Sequence, residues 1–193
     1  MSEEDYHRKV GSVGKPVMFT EIRIVDEEAK DILPGHYGEL LVKGPTVIKE
    51  YFKLPDETAK TIQNGWFATG DIVRQDEEGF VYIVGRKKEM IISGGENIYP
   101  LEIEKIIYEI ADVEEAAVVG VPHDKWGETP IAFIVLKEET NFTSAKLKEY
   151  CTKKLARYKV PSLFKIVSAL PKNATGKIDK ATLKKYYLEE AVN

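Results

Sequence analysis

The chain carries a single cysteine, Cys151, among 193 residues. That excludes an internal disulfide framework and suits a reducing compartment. Long apolar runs are missing too: the longest, IAFIVL at 131–136, is far too short to span a bilayer. Positive charge is not in excess. The net charge of −4 gives no electrostatic reason to expect nucleic acid, which favours a basic face. Histidine is scarce as well, and His7, His36 and His123 form no metal-ligand spacing with Cys151. The opening MSEEDYHRKV is too charged to read as a signal peptide. Repeats and low-complexity tracts are absent. The expectation from these absences is a soluble cytoplasmic protein.

What is present describes an ordinary globular chain, 43% hydrophobic and 31% charged, long enough for one large or two small domains. EIRIV (21–25), GELLVKG (38–44) and GFVYIVG (79–85) read as strands bounded by turn residues. QDEEGF is a turn, with Gly79 available for a positive φ. PDETAKTIQNG reads as a short helix capped by Asp56 and stopped near Gly65. From about residue 100, strands alternate with amphipathic helices. Pro100 opens a helix whose Ile103, Ile106, Ile107 and Ile110 form one stripe. VEEAAVVGV and TPIAFIVLK read as buried strands, and SAKLKEYCTKKLARY as a helix through Leu147, Tyr150, Cys151 and Leu155. LFKIVSAL is a further strand and DKATLKKYYL a last helix with Asp179 as N-cap. The texture changes near IVGRKKEMI, which marks a domain junction. From spacing alone, Arg86, Lys87 and Lys88 there read as a solvated hairpin turn.

LPKNATGKIDK (170–180) places a Gly-Lys pair in a loop, which raises the question of phosphate. A phosphate loop of the G-x-x-x-x-G-K-[ST] type needs backbone amides and a hydroxyl around the anion. Here Pro171 stands at the first glycine and Ile178 follows Lys177, so both ends fail. GSVGKP fails similarly, with Lys9 at the first glycine and Pro16 after the lysine. No G-x-G-x-x-G occurs. Lys177 could therefore meet phosphate only as one point charge on a loop.

GWFATGD (65–71), GRKKEMIISGGENIYPLEIE (85–104) and LPKNATGK (170–177) stand in an order and spacing that resembles the AMP-forming adenylating enzymes. That superfamily comprises acyl-CoA synthetases, peptide-synthetase adenylation domains and beetle luciferases. GSVGKP, GELLVKGPTVIKEYF with PDETA, and ARYKVP add to the resemblance, which runs from about Gly11 to Leu183. It implies an α+β chain: residues 1–86 as the distal, small β-barrel-like part of the large adenylating domain, and 87–193 as the mobile C-terminal domain, a central sheet flanked by helices. Family members carry upstream a Ser/Thr/Gly-rich loop for the pyrophosphate end of ATP and an aromatic-x-Thr-Glu motif that helps bind magnesium. Neither stretch is in this sequence, nor is the acyl pocket. The implied partner is a missing large N-terminal domain, and the chain alone is expected to be inactive.

The resemblance also implies roles residue by residue. Asp71 accepts hydrogen bonds from the ribose hydroxyls of ATP, where a bare turn-forming aspartate is the plainer reading. Arg86 lies near ribose and phosphates, against the alternative of a surface arginine. Lys88 falls on the hinge about which the C-terminal domain turns. Gly94 and Gly95 match the glycines of the CoA tunnel, Gly95 being the one where a Cβ would crowd the pantetheine arm; the alternative is a plain glycine turn. Lys177 matches the catalytic lysine, and otherwise reads as a solvated loop lysine. No metal ligand is implied in the chain, so the Mg2+ that accompanies ATP or AMP would be held outside it.

The activity implied is that of a fatty-acid or related carboxylic-acid CoA ligase, with ATP and CoA as co-substrates. Two other readings stay open: a peptide-synthetase adenylation fragment, disfavoured by the ending YYLEEAVN where a carrier protein would follow, and a non-catalytic partner- or nucleotide-binding module. Apolar surface exposed on the barrel-like segment would favour self-association into a homo-oligomer. Trp66, Tyr82 and Tyr99 read as core or interface, and Cys151 as inert.

Overall fold

β-Branched residues alternating with charged ones make EIRIV extended as β1 (Glu21–Val25), which pairs antiparallel with YGELLVK as β2 (Tyr37–Lys43). A computed structural model describes residues 3–138, 140 and 142–192 of the chain, which divides between Lys88 and Glu89 into two compact units.

In the first unit a short helix α1 (Glu3–Arg8) precedes β1 and β2. Helix α2 (Pro55–Thr61) and the two-residue strand β3 (Ile62–Gln63) follow. Strand β4 (Trp66–Gln75) pairs with β2 along one edge, and with β3 and β5 (Val81–Arg86) along the other. The sheet curls as a half-barrel around Ile24, Val73 and Val81. Helix α2 departs from expectation at both ends. Pro55 is already inside it, Leu54 takes the N-cap position, and Asp56 caps nothing. It stops at Thr61 because Ile62 and Gln63 pair back onto Phe67 and Trp66 through a turn whose Asn64 and Gly65 both have positive φ.

The β4–β5 turn is stapled by Asp76. Its Oδ1 accepts from the backbone N–H groups of Glu78 and Phe80, and its Oδ2 from Lys9 Nζ at 2.7 Å. Gly79 supplies the positive φ, 85°, that the turn requires. Burial alone would raise the carboxyl's pKa. The bonds from Lys9, the Phe80 amide and Tyr82 outweigh it and bring the value down to about 2. The unfolded chain, with an aspartate near 3.9, holds that proton more tightly. The carboxylate's contribution is therefore complete above about pH 5 and declines as the pH falls through about 4 toward 2. Thermal melts of wild type and Asp76→Asn at pH 7 and pH 3 are expected to show a gap in midpoint that narrows in acid. A gap of constant size would show that the Asp76 charge is not linked to folding.

In the second unit, β9 (Gly127–Leu136) is the centre of a five-stranded sheet, antiparallel to β8 (Val113–His123) and parallel to β10 (Leu163–Ile166). The hairpin of β6 (Ile91–Ser93) and β7 (Glu96–Ile98) joins β9 through Ser93 and Gly127. Alternation decides which face each side chain takes. Ala116, Val118, Ala132 and Ile134 point to one core, with α3 (Pro100–Tyr108) and α4 (Ser144–Lys154). Ala117, Val119, Ile131 and Phe133 point to the other, closed by Leu183 of α5 (Lys180–Val192). Helices thus cover both faces. LFKIVSAL is extended only through Ile166. Helix α4 ends at Lys154, where Leu155 turns extended ahead of a 3-10 turn at Arg157–Lys159 and Pro161. Among the described residues no helix is long and apolar enough to cross a membrane.

Candidate functional site

Asp71 stands on an irregularity. Glu39 faces Ile72 and Leu41 faces Ala68, so Thr69, Gly70 and Asp71 together oppose only Leu40. Gly70 takes a φ of 70°, which a side chain would resist. The Thr69 hydroxyl repairs the interrupted ladder, donating to the Leu40 carbonyl at 2.9 Å and accepting from the Asp71 N–H at 3.0 Å. On the opposite edge Asp71 is the register partner of Arg86. One guanidinium nitrogen, Nη1, donates to the Thr69 carbonyl and forms an ion pair with Asp71 Oδ1, each at 3.0 Å.

This arrangement pins one carboxylate oxygen and spares the other. Asp71 Oδ2 and the remaining Arg86 nitrogens have no partner among the described residues, and the Arg86 side chain is half exposed. An open cleft of about 450 Å³ is lined by Thr69, Gly70, Arg86, Lys87 and Lys88, with Asp71 beside it as the ion-pair partner of Arg86. A polar ligand with vicinal hydroxyls and an anionic group suits that pairing. Lys87 is held by Glu39 at 2.7 Å. Lys88 sits in the 3-10 turn Lys87–Glu89, and its side chain has no hydrogen bond or ion pair among the described residues.

Gly94 and Gly95 form the two-residue turn between β6 and β7, with φ of 61° and 88°. Their surroundings differ. The Gly94 N–H donates to the Trp126 carbonyl at 2.8 Å, and a Cβ at Gly94 would lie 2.9 Å from the Trp126 ring. A Cβ at Gly95 would meet nothing within 4 Å. Packing inside the unit accounts for Gly94; only its backbone conformation and open space mark Gly95.

Lys177 lies in the loop before α5. The Asn173 carboxamide oxygen accepts from the Thr175 N–H, the Thr175 hydroxyl and the Lys177 N–H. The Asn173 N–H donates back to the Lys177 carbonyl at 2.8 Å, and Gly176 turns the chain with a φ of 80°. Lys177 is thus exposed on a loop fixed by its own backbone, with its ammonium group unpaired among the described residues.

The structure brings Arg86 and Lys88 to one cleft of the first unit, with Asp71 paired to Arg86 beside it. Gly94, Gly95 and Lys177 belong to the second unit, in two separate loops. Among the described residues no cluster of three His, Cys, Asp or Glu side chains could hold a metal ion. Sequence reading passes over one feature altogether, the burial of Glu104, which a polar residue beside Ile103 does nothing to announce.

The AMP-binding enzyme family matches residues 1–52, and the AMP-binding enzyme C-terminal domain matches residues 102–177. The chain is 45% identical to the 2-succinylbenzoate–CoA ligase of Geobacillus kaustophilus over 177 residues, 92% of this chain and 36% of the relative. It is 43% identical to the long-chain-fatty-acid–CoA ligase FadD13 of Mycobacterium tuberculosis, over 95% of this chain and 36% of the relative. Among solved structures, o-succinylbenzoate CoA synthetase (MenE) from Bacillus subtilis, in complex with its acyl-adenylate intermediate, superposes with a TM-score of 0.90 at 41% identity. That likeness covers 95% of this chain and 37% of the synthetase, whose structure is also known with ATP and magnesium. The chain spans little more than a third of the length of the curated relatives it matches. Matches to both the AMP-binding and the C-terminal models, in a chain this similar to CoA ligases, lead to one conclusion: it belongs to the AMP-binding enzyme superfamily of AMP-forming adenylating enzymes and corresponds to their C-terminal portion.

Proposed function

We propose that this chain is the C-terminal part of an AMP-forming acyl-CoA ligase, with residues 1–86 completing a large nucleotide-binding domain and residues 87–193 forming the mobile domain. The reaction has two steps. A carboxylate oxygen attacks the α-phosphorus of ATP and releases pyrophosphate; the CoA sulfur then attacks the acyl carbon and releases AMP. Asp71 accepts from the ribose hydroxyls, and Arg86 donates toward ribose and phosphate. Lys177 meets the negative charge that grows on the phosphoryl oxygens in the first step. Lys88 is the pivot, and the Gly95 turn leaves room for the pantetheine arm in the second step. The Mg2+ that accompanies ATP would be held by residues outside this chain.

The observation that carries the reading is the Thr69–Asp71 bulge. It holds a carboxylate and a guanidinium together at 3.0 Å beside the cleft that Arg86 lines, and leaves each with hydrogen-bonding capacity unused among the described residues. Val17, Met18 and Phe19, which lead into β1, and Ile48, Phe52 and Leu54, which follow β2, are all exposed. Such apolar exposure suits contact with the upstream part of the large domain.

The test is a fusion enzyme in which this chain replaces the corresponding C-terminal portion of the Geobacillus kaustophilus ligase. The fusion is expected to support ATP–pyrophosphate exchange dependent on 2-succinylbenzoate, and CoA thioester formation. The chain alone is expected to support neither. A folded fusion that binds ATP but shows no exchange would refute the proposal.

A further inference from the structure

A charged cluster in the second unit is not used by any role assigned above. Glu104, on α3, is only 7% exposed. Its Oε1 accepts from the Val118 N–H at 2.7 Å and from Lys180 Nζ at 2.8 Å. The same ammonium group reaches Glu89 Oε2 at 2.7 Å. Burial alone would lower the lysine's pKa, but its two carboxylate partners outweigh that and hold it above the ordinary range. Lys180 is charged, largely buried and shared between two acids.

Two features show that helix or core stability does not explain this lysine. It opens α5, and a cation at a helix N-terminus opposes the macrodipole. A buried ion pair is, besides, often no more stable than the apolar residues that could replace it. What the cluster supplies is connection. Glu89 is the first residue of the second unit, and the Lys180–Glu89 bond joins positions 91 apart in sequence. Little slack separates Lys180 from Lys177. Ile178 bridges to Lys172, the Asp179 N–H donates to the Pro171 carbonyl at 2.8 Å, and Asp179 caps the Thr182 N–H.

We infer that Lys180 is a positioning residue: it clamps the Lys177 loop to Glu89 and Glu104, so that the loop is carried rigidly from the residue next to the pivot. The inference rests on the roles proposed for Lys88 and Lys177. An arm loose at this point would spread the position of its terminal ammonium group over many orientations, and misplacement of about 1 Å can lower a rate on the order of 10²-fold.

Amide hydrogen exchange on the chain as it stands tests the clamp without any turnover. In Lys180→Met, exchange of the Gly176, Lys177 and Asp179 amides is expected to quicken by at least about ten-fold relative to wild type, with Lys180→Arg restoring protection. The double variant Lys180→Met/Glu104→Gln removes the stranded buried charge. It is expected to recover the thermal midpoint while the loop stays fast. Unchanged loop exchange in Lys180→Met would overturn the clamp, and so would recovery of loop protection together with the midpoint in the double variant. In the fusion enzyme, Lys180→Met is expected to lower adenylation on the order of 10²-fold. A loosened loop with undiminished adenylation would overturn the positioning role. Failure of the Lys177 reading itself shows elsewhere, in Lys177→Ala, and leaves the exchange result standing.

Discussion

Lys177→Ala, introduced into the fusion enzyme, is expected to lower acyl-adenylate formation by on the order of 10²–10³-fold, the usual effect of removing one donor from a developing oxyanion. Transfer to CoA from supplied acyl-adenylate is expected to be unchanged. The variant is unusually clean because the loop does not depend on this side chain. The bonds that shape it are made by backbone groups, by the Asn173 side chain and by the Thr175 hydroxyl, none by the Lys177 side chain. Alanine keeps all of these, so the melting curve should not move. No ion pair within the described residues has to break for the ammonium group to act, and its loss should strand no acid. Pyrophosphate exchange and thioester formation, measured separately on one preparation, decide the matter. Equal loss in both half-reactions would show that Lys177 serves general binding and that the two steps are not divided between the loops.

How far such residues can be seen in the sequence depends on the range of the force that places them. The α3 stripe is local, and Ile103 and Ile107 are fully buried where the 3.6 period puts them. The Asp179 cap is local too, bonding the Thr182 N–H and hydroxyl within its own first turn. Strand β4 is not legible in the same way. Ala68-Thr69-Gly70-Asp71 breaks the two-residue alternation, because three residues there answer one on β2. The interruption that hides the strand is also where Asp71 meets Arg86. Its partner Arg86 can be reached only through the register of a hairpin that carries its own bulge between Ile72 and Val73. The Glu89–Glu104–Lys180 cluster has no local signal at all. A lysine at a helix start and a glutamate beside an isoleucine each read as solvated until the sheet and its two helix layers bring them together.

Leu147→Ala is expected to loosen helix α4 and to make Cys151 react with a thiol reagent roughly 30-fold to several-thousand-fold faster. The helix buries only Leu147 and Cys151, four residues apart on one face and both fully inaccessible. Those two side chains join the core that includes Ile107, Phe164 and Ala132. Truncating a buried leucine costs about 2–5 kcal/mol, a large share of a domain's total of about 5–15 kcal/mol. Reaction at Cys151 requires opening. Burial pushes the thiol pKa up to about 11, and the folded state offers the reagent neither access nor thiolate. If α4 opens as a unit, the whole loss appears in the population of the open form, and each 1.4 kcal/mol multiplies the labelling rate about tenfold. In the open form the thiol regains a pKa near 8.5, so both proteins should label faster as the pH rises toward about 8 while their ratio stays constant. Cys151 is the only cysteine, so one mass shift reports one site. A variant with a lowered melting midpoint but wild-type labelling would show that the reagent reaches Cys151 through an opening that leaves Leu147 packed, and that α4 does not open as a unit.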